Sequence, residues 1–185
     1  MNNWHLKQAA RVIHAGGVIA YPTEAVYGLG CDPFNHTAVM RLLALKHRPM
    51  DKGLILIAAN IEQLTPFIAP LNEASLQTLN ATWPGPVTWL LPARPETPVW
   101  LRGQHSTIAV RVTKHPLAAA LCRATGHALV STSANLSGRQ PARTSLRVRQ
   151  QFGDQLDYLL AAPTGGQSQP STIRDLQTGK TLRRA

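Results

Sequence analysis

Short apolar runs recur along this chain, set off by proline, glycine or stretches of helical periodicity, and that alternation restricts it to a layered α/β fold. The runs at residues 18–21, 54–59, 87–91, 107–112, 128–130, 157–162 and 170–176 read as strands. Residues 4–15, 36–46, 72–83, 115–125 and 145–152 space their apolar side chains as amphipathic helices do, and 61–67 does so more briefly. Asn35 is placed to cap the second helix, while Gly16-Gly17 and Gly126 stand where helices stop. Trp83-Pro84-Gly85-Pro86 breaks the chain sharply ahead of a strand. Residues 22–31, 92–106 and 163–169 read as loops. The expected fold is a single α/β domain over residues 1–185, an open twisted sheet of mixed direction flanked by helices. Strand order is not readable from the pattern.

Composition excludes several classes. A hydrophobic fraction of 44% against 15% charged residues rules out a disordered chain. No run approaches the roughly 18 apolar residues of a membrane span. The start, Met1-Asn2-Asn3-Trp4-His5, lacks the basic and apolar regions of a signal peptide, so a cytoplasmic protein with no membrane contact is expected. Cys31 and Cys122 stand far apart without a CxxC and read as buried free thiols rather than a zinc site or disulfide. The net charge of +10 is uneven. Residues 1–92 carry six Lys and Arg against five acids, and residues 93–185 carry thirteen against four. Such a field favours an anionic partner, RNA being the usual one.

Chemistry concentrates in three stretches. Lys46-His47-Arg48-Pro49-Met50-Asp51-Lys52-Gly53 places three cations between a helix end and a buried-type strand. It reads either as a solvated helix C-terminus or as a clamp for phosphates. Thr23, Glu24, Gly28 and Gly30 lie just past a strand's carboxyl end, where open α/β sheets bind ligands; a plain glycine-bearing turn is the alternative. Ser131-Thr132-Ser133-Ala134-Asn135-Leu136-Ser137 is a dense donor and acceptor surface or a strand-to-helix turn. Phosphate loops, GxGxxG, GxSxG and HExxH are all missing, and the His residues show no metal-ligand spacing. Cations and hydrogen bonders without a nucleophile and base suit catalysis by positioning and charge stabilisation, as in nucleotidyl transfer. Glu24, the one acid in the loop after the first strand, could serve a metal or an ammonium.

The ordered set Tyr21-Pro-Thr-Glu-Ala-Val-Tyr-Gly-Leu-Gly30, Lys46-x-Arg48 with Lys52, Trp83-Pro-Gly-Pro86, Val110-Arg111-Val112, Ser131-Thr-Ser-Ala-Asn-x-Ser-Gly138 and Pro170-Ser-Thr172 resembles the YrdC-like proteins. The similarity spans about residues 18–176 and is to the short bacterial form. It implies an open twisted sheet with a large basic cavity. It also implies a reaction in which L-threonine, bicarbonate or carbon dioxide, and ATP give threonylcarbamoyl-AMP and diphosphate. Partner proteins then transfer the threonylcarbamoyl group to adenosine in tRNA. On this resemblance Lys46 and Arg48 are the catalytic cations. ATP would be bound by Lys46, Arg48, Lys52, Ser133 and Asn135. Threonine would be bound by Thr23, Arg111, Ser131, Ser171 and Thr172. Mg²⁺ would accompany ATP, with no separate metal site on the protein.

Three positions depart from the family pattern: Ala25 where Thr is usual, Gly53 where Pro is common, and Thr113 where Pro often follows the Arg-bearing strand. The competing expectation is a non-catalytic binder of structured RNA, motivated by Arg139, Arg143, Arg147 and Arg149 in the basic half.

Overall fold

The structure, a computed structural model, describes residues 3–183. Met1 and Asn2, the start of the stretch read for a signal peptide, lie outside the described residues, as does Arg184 of the basic half. One mixed sheet runs through the described chain in the order β7-β1-β2-β6-β3-β5-β4-β8-β9. Its strands are β1 (Ile19–Pro22), β2 (Tyr27–Gly30), β3 (Ile55–Ala58), β4 (Val87–Pro92), β5 (Thr107–Val112), β6 (Leu129–Ser133), β7 (Tyr158–Leu159), β8 (Thr172–Asp175) and β9 (Thr181–Arg183). The helices are α1 (Asn3–His14), α2 (His36–Lys46), α3 (Glu73–Asn80), α4 (Val99–Arg102), α5 (Pro116–Thr125) and α6 (Ser145–Phe152). Three pairs are parallel (β1 with β7, β3 with β5, β4 with β8) and the other pairs are antiparallel.

Local chemistry sets the helix ends. The Asn35 side chain accepts from the Ala38 N–H at 2.9 Å to start α2, and His115 Nδ1 accepts from the Ala118 N–H to start α5 ahead of Pro116. His47 closes α2 in the left-handed region, and the chain then turns through a short 3-10 segment, Met50–Lys52, into β3. Gly53 follows at φ +61°. Proline, fixed near −65°, could not occupy that conformation, whereas glycine adopts it freely.

Alternation along the strands sends side chains to two faces. Ile19, Tyr21, Ile57 and Leu129 point to the face where α1 (Ala9, Ile13) and α5 (Ala118, Leu121, Cys122) pack. Ala20, Leu56, Val110 and Val130 point to the opposite face, against Val39 and Leu42 of α2 and Val148 and Phe152 of α6. Cys31 and Cys122 are both buried and free.

Five stretches differ from the sequence expectation. Residues 22–31 hold a strand, because Tyr27 and Leu29 alternate with Gly28 and Gly30. Here glycine serves close packing: a Cβ on Gly30 would collide with the Val130 carbonyl and the Tyr21 ring. Residues 61–67 form only the 3-10 turn Glu62–Leu64. Within 92–106, α4 is pulled inward by the fully buried Leu101. The run at 157–162 pairs over two residues only, and β9 was not expected at all.

Candidate active site

Helices α1 and α5 cover only part of their sheet face. Where they end, the face continues as the floor of a cavity of about 570 Å³, a size usual for small-ligand sites. The register explains the floor: Ile55 pairs with Ala109 on one side and Ser131 on the other, Gly28 pairs with Ser133, and Leu90 pairs with Ala109. All of these line the cavity. The floor is therefore an open sheet face rather than the carboxyl ends of parallel strands. Thr23 and Glu24 from the β1–β2 turn, Arg48, Lys52, Arg102, Arg111 and Arg183 supply polar walls. Gln167, Pro170 and Ser171 close one side.

Of the residues singled out from sequence, the cavity wall brings together Thr23, Arg48, Lys52, Arg111, Ser131, Ser133 and Ser171. Thr23 Oγ1 donates to the Val26 carbonyl at 2.7 Å, which holds the turn closed. Arg48 donates to the Gly53 carbonyl at 2.9 Å, and its buried Nε has no partner among the described residues. Burial lowers the Arg48 pKa against the opposing pull of Asp51, but a guanidinium remains charged. Ser171 shares a hydrogen bond with Thr88 (2.9 Å), and its hydroxyl and carbonyl both accept from Arg183.

Lys46, Asn135 and Thr172 do not line that cavity. The Lys46 ammonium is buried and donates to the Ser133 carbonyl and to the Asn135 carbonyl (2.7 Å), with Asn135 Oδ1 at 3.4 Å. Its own carbonyl accepts from the Ser137 N–H at 3.2 Å. Lys46 thus pins both ends of the 133–137 loop. Burial, helped by the Arg48 guanidinium, pushes its pKa down to about 8. The Asn135 amide is consumed within the loop: Oδ1 accepts from Ser133 Oγ (2.6 Å), and Nδ2 donates to the Leu136 and Arg139 carbonyls, each at 2.8 Å. Thr172 sits beside Val87 in β8, on the strand face opposite its neighbour Ile173, which does line the cavity.

Glu24 is buried and committed. Oε1 accepts from Thr113 Oγ1 at 2.7 Å and from the Lys114 N–H at 3.1 Å, and Oε2 lies 3.2 Å from the Arg111 guanidinium. Burial raises the carboxyl pKa, but the Arg111 charge and the Thr113 hydroxyl outweigh it and hold the group below the ordinary carboxylate range.

Residues 11–185 match the family model of the Sua5, YciO and YrdC proteins, described as "Telomere recombination". The chain belongs to the Sua5/YciO/YrdC family. A threonylcarbamoyl-AMP synthase of Nitrosococcus oceani is 59% identical over 181 residues, 98% of each chain. One of Pseudomonas aeruginosa PAO1 is 55% identical over the full length of both. Among solved structures, P. abyssi Sua5 complexed with L-threonine superposes with a TM-score of 0.91 at 30% identity, over 98% of this chain and 53% of that one. Escherichia coli YciO gives 0.84 at 28% identity, over 98% and 89%.

Within this Sua5/YciO/YrdC fold, two site features escaped the sequence reading. Arg183, on the unexpected β9, lines the cavity and clamps Ser171 by donating to its carbonyl at 2.8 Å. Burial and the nearby Arg111 charge lower its pKa. Arg102 reaches the wall from α4, inside a stretch read as loop. The signal available for both was a basic residue one or two places from an apolar one, which is common on any surface. The Thr113 departure from the family pattern carries a gain, since its hydroxyl is what fixes Glu24.

Proposed function

We infer that this enzyme is a nucleotidyltransferase that makes threonylcarbamoyl-AMP from L-threonine, bicarbonate or carbon dioxide, and ATP. The observation that carries the reading is a cavity walled by cations and hydroxyls whose single carboxylate among the described residues, Glu24, is already paired. Such a wall attracts carboxylate and phosphate together. The relatives matched over nearly their whole length bear the name of this activity.

In the proposed reaction the threonine amine and carbon dioxide form a carbamate, releasing a proton. A carbamate oxygen attacks the α-phosphorus of ATP, and the bond to the β,γ-diphosphate breaks. Arg111 would hold the threonine carboxylate, with Thr23, Ser131 and Ser171 around the amino acid. Arg48 and Lys52, at the β3 end of the cavity, would bind the phosphates and neutralise the leaving diphosphate, with Ser133 beside the adenylate. Lys46 and Asn135 would serve ATP through the loop they brace, and Thr172 by carrying Ser171 into place. Mg²⁺ would enter on the ATP phosphates and share their charge. The described residues contain no cluster of three or more His, Cys, Asp or Glu suited to a metal. Transfer to tRNA would fall to partner proteins, and the exposed Arg139, Arg143, Arg147 and Arg149 would suit a tRNA contact.

Diphosphate release from MgATP and bicarbonate, with and without L-threonine, tests the reading. Threonine-dependent release is expected from the wild type. Arg48→Ala should lower ATP-dependent turnover by a factor of roughly 10 to 150, the loss of one charge-assisted phosphate contact. Threonine-independent release, or full turnover by Arg48→Ala, would overturn the assignment.

A further inference from the structure

We propose that Glu24 and Thr113 are positioning residues for Arg111, fixing its guanidinium so that its free donors face a substrate carboxylate. This rests on the proposed role of Arg111 in holding threonine. Arg111 and Thr113 lie two residues apart at the end of β5, and Glu24 of the β1–β2 turn, 89 positions from Thr113, reaches them only through the fold. Arg111 is buried on the cavity face at the level of Ile57, its neighbour in the register. A buried guanidinium on a long, flexible stem needs a partner to be neutralised and a second constraint to be aimed. Glu24 supplies the first, with Oε2 3.2 Å from one terminal nitrogen.

Thr113 supplies the second constraint. Its hydroxyl donates to Glu24 Oε1 at 2.7 Å while accepting from the His115 N–H at 3.2 Å, so the hydroxyl proton has one direction to point. The Lys114 N–H donates to the same Oε1 at 3.1 Å. Glu24 therefore cannot swing away to solvate itself, and Arg111 cannot follow it. The Arg111 Nε remains buried without a hydrogen-bond partner among the described residues. Glu24 Oε2 is likewise buried without a hydrogen-bond partner among the described residues, so its 3.2 Å contact with the guanidinium is an ion pair rather than an aligned hydrogen bond. The Arg111 side chain lines the cavity, so a carboxylate entering there meets a guanidinium whose hydrogen-bonding capacity is not used up.

The test is steady-state diphosphate release with Glu24→Gln, Thr113→Val and Thr113→Ser, varying threonine and ATP separately. Glu24→Gln and Thr113→Val should raise the threonine KM by roughly ten-fold or more, the cost of releasing one charged hydrogen-bond partner. The ATP KM should stay within about two-fold, and Thr113→Ser should return the threonine KM to near wild type. A merely structural role would move both KM values together and would show no rescue by Ser, and either outcome overturns the proposal. An unchanged threonine KM in Thr113→Val overturns it as well. Calorimetric binding of L-threonine and its methyl ester provides a second readout should Glu24→Gln fold poorly. Thr113→Val should lose the wild type's preference for the free carboxylate, and a retained preference counts against the proposal. Absence of threonine-dependent release by the wild type would instead refute the reaction, so the two failures are distinguishable.

Discussion

Replacing Lys46 with methionine separates two roles that the sequence alone cannot tell apart. If the ammonium binds phosphates, its loss should weaken ATP and leave the fold intact. The geometry predicts the reverse emphasis. Lys46 donates to two carbonyls of the 133–137 loop, and its buried end is off the cavity wall. Lys46→Met leaves both carbonyls without that donor, at about 1–3 kcal/mol each. Relief of the buried charge, felt in a pKa pushed down to about 8, offsets part of this. The net loss should be on the order of 2–4 kcal/mol. For a domain of this size each kcal/mol lowers Tm by about 2–4 °C, so thermal unfolding should shift by about 4–16 °C. Arg48→Ala, which gives up one described hydrogen bond to Gly53, should cost about 1 kcal/mol or less in stability. Thermal unfolding of both variants beside their ATP KM decides the matter. A Lys46→Met protein with wild-type Tm and a raised ATP KM would place the ammonium on the phosphates and refute the bracing argument.

Two further expectations follow from charge. The Glu24 carboxyl is held below its ordinary value near 4.5, so the folded state binds fewer protons than the unfolded one in that range. Its stabilisation is present above about pH 4.5 and is lost as pH falls through the lower folded value. The Tm gap between wild type and Glu24→Gln should narrow in acid, and an equal gap at pH 3 and pH 7 would refute the linkage. For RNA, binding should weaken steeply with salt, and Arg147→Ala with Arg149→Ala should reduce the log–log slope by about 2. Salt-insensitive or undetectable binding would remove the tRNA contact from the proposal.

Much of the fold was legible because helices and most strands announce themselves through local period. The α2 cap at Asn35, the α5 start at Pro116 and β5 with its Arg111 fall where the pattern puts them. What failed were elements whose identity depends on distant partners. Tyr27–Gly30 looks like a turn until β1 and β6 are placed beside it, when a side chain at Gly30 would have no room. Arg183 lies on a strand of three exposed residues that exists only because β8 offers an edge. The Glu24–Thr113 bond joins residues 89 positions apart, and no window along the chain contains both. The family motif Lys46-x-Arg48 gives the expectation that Lys46 binds ATP, but the carbonyls of residues 133 and 135 that its ammonium meets are invisible to a sequence pattern.

The division of each central strand between two faces has a consequence for how such an enzyme can change. Leu56, Val110 and Leu91 belong to the core, whereas their immediate neighbours Ile55, Ala109 and Leu90 form the cavity floor. Specificity and foldedness are therefore written on alternate letters of the same short words. A lineage can rewrite one set while leaving the other untouched, so a new substrate need not be reached through an unstable ancestor.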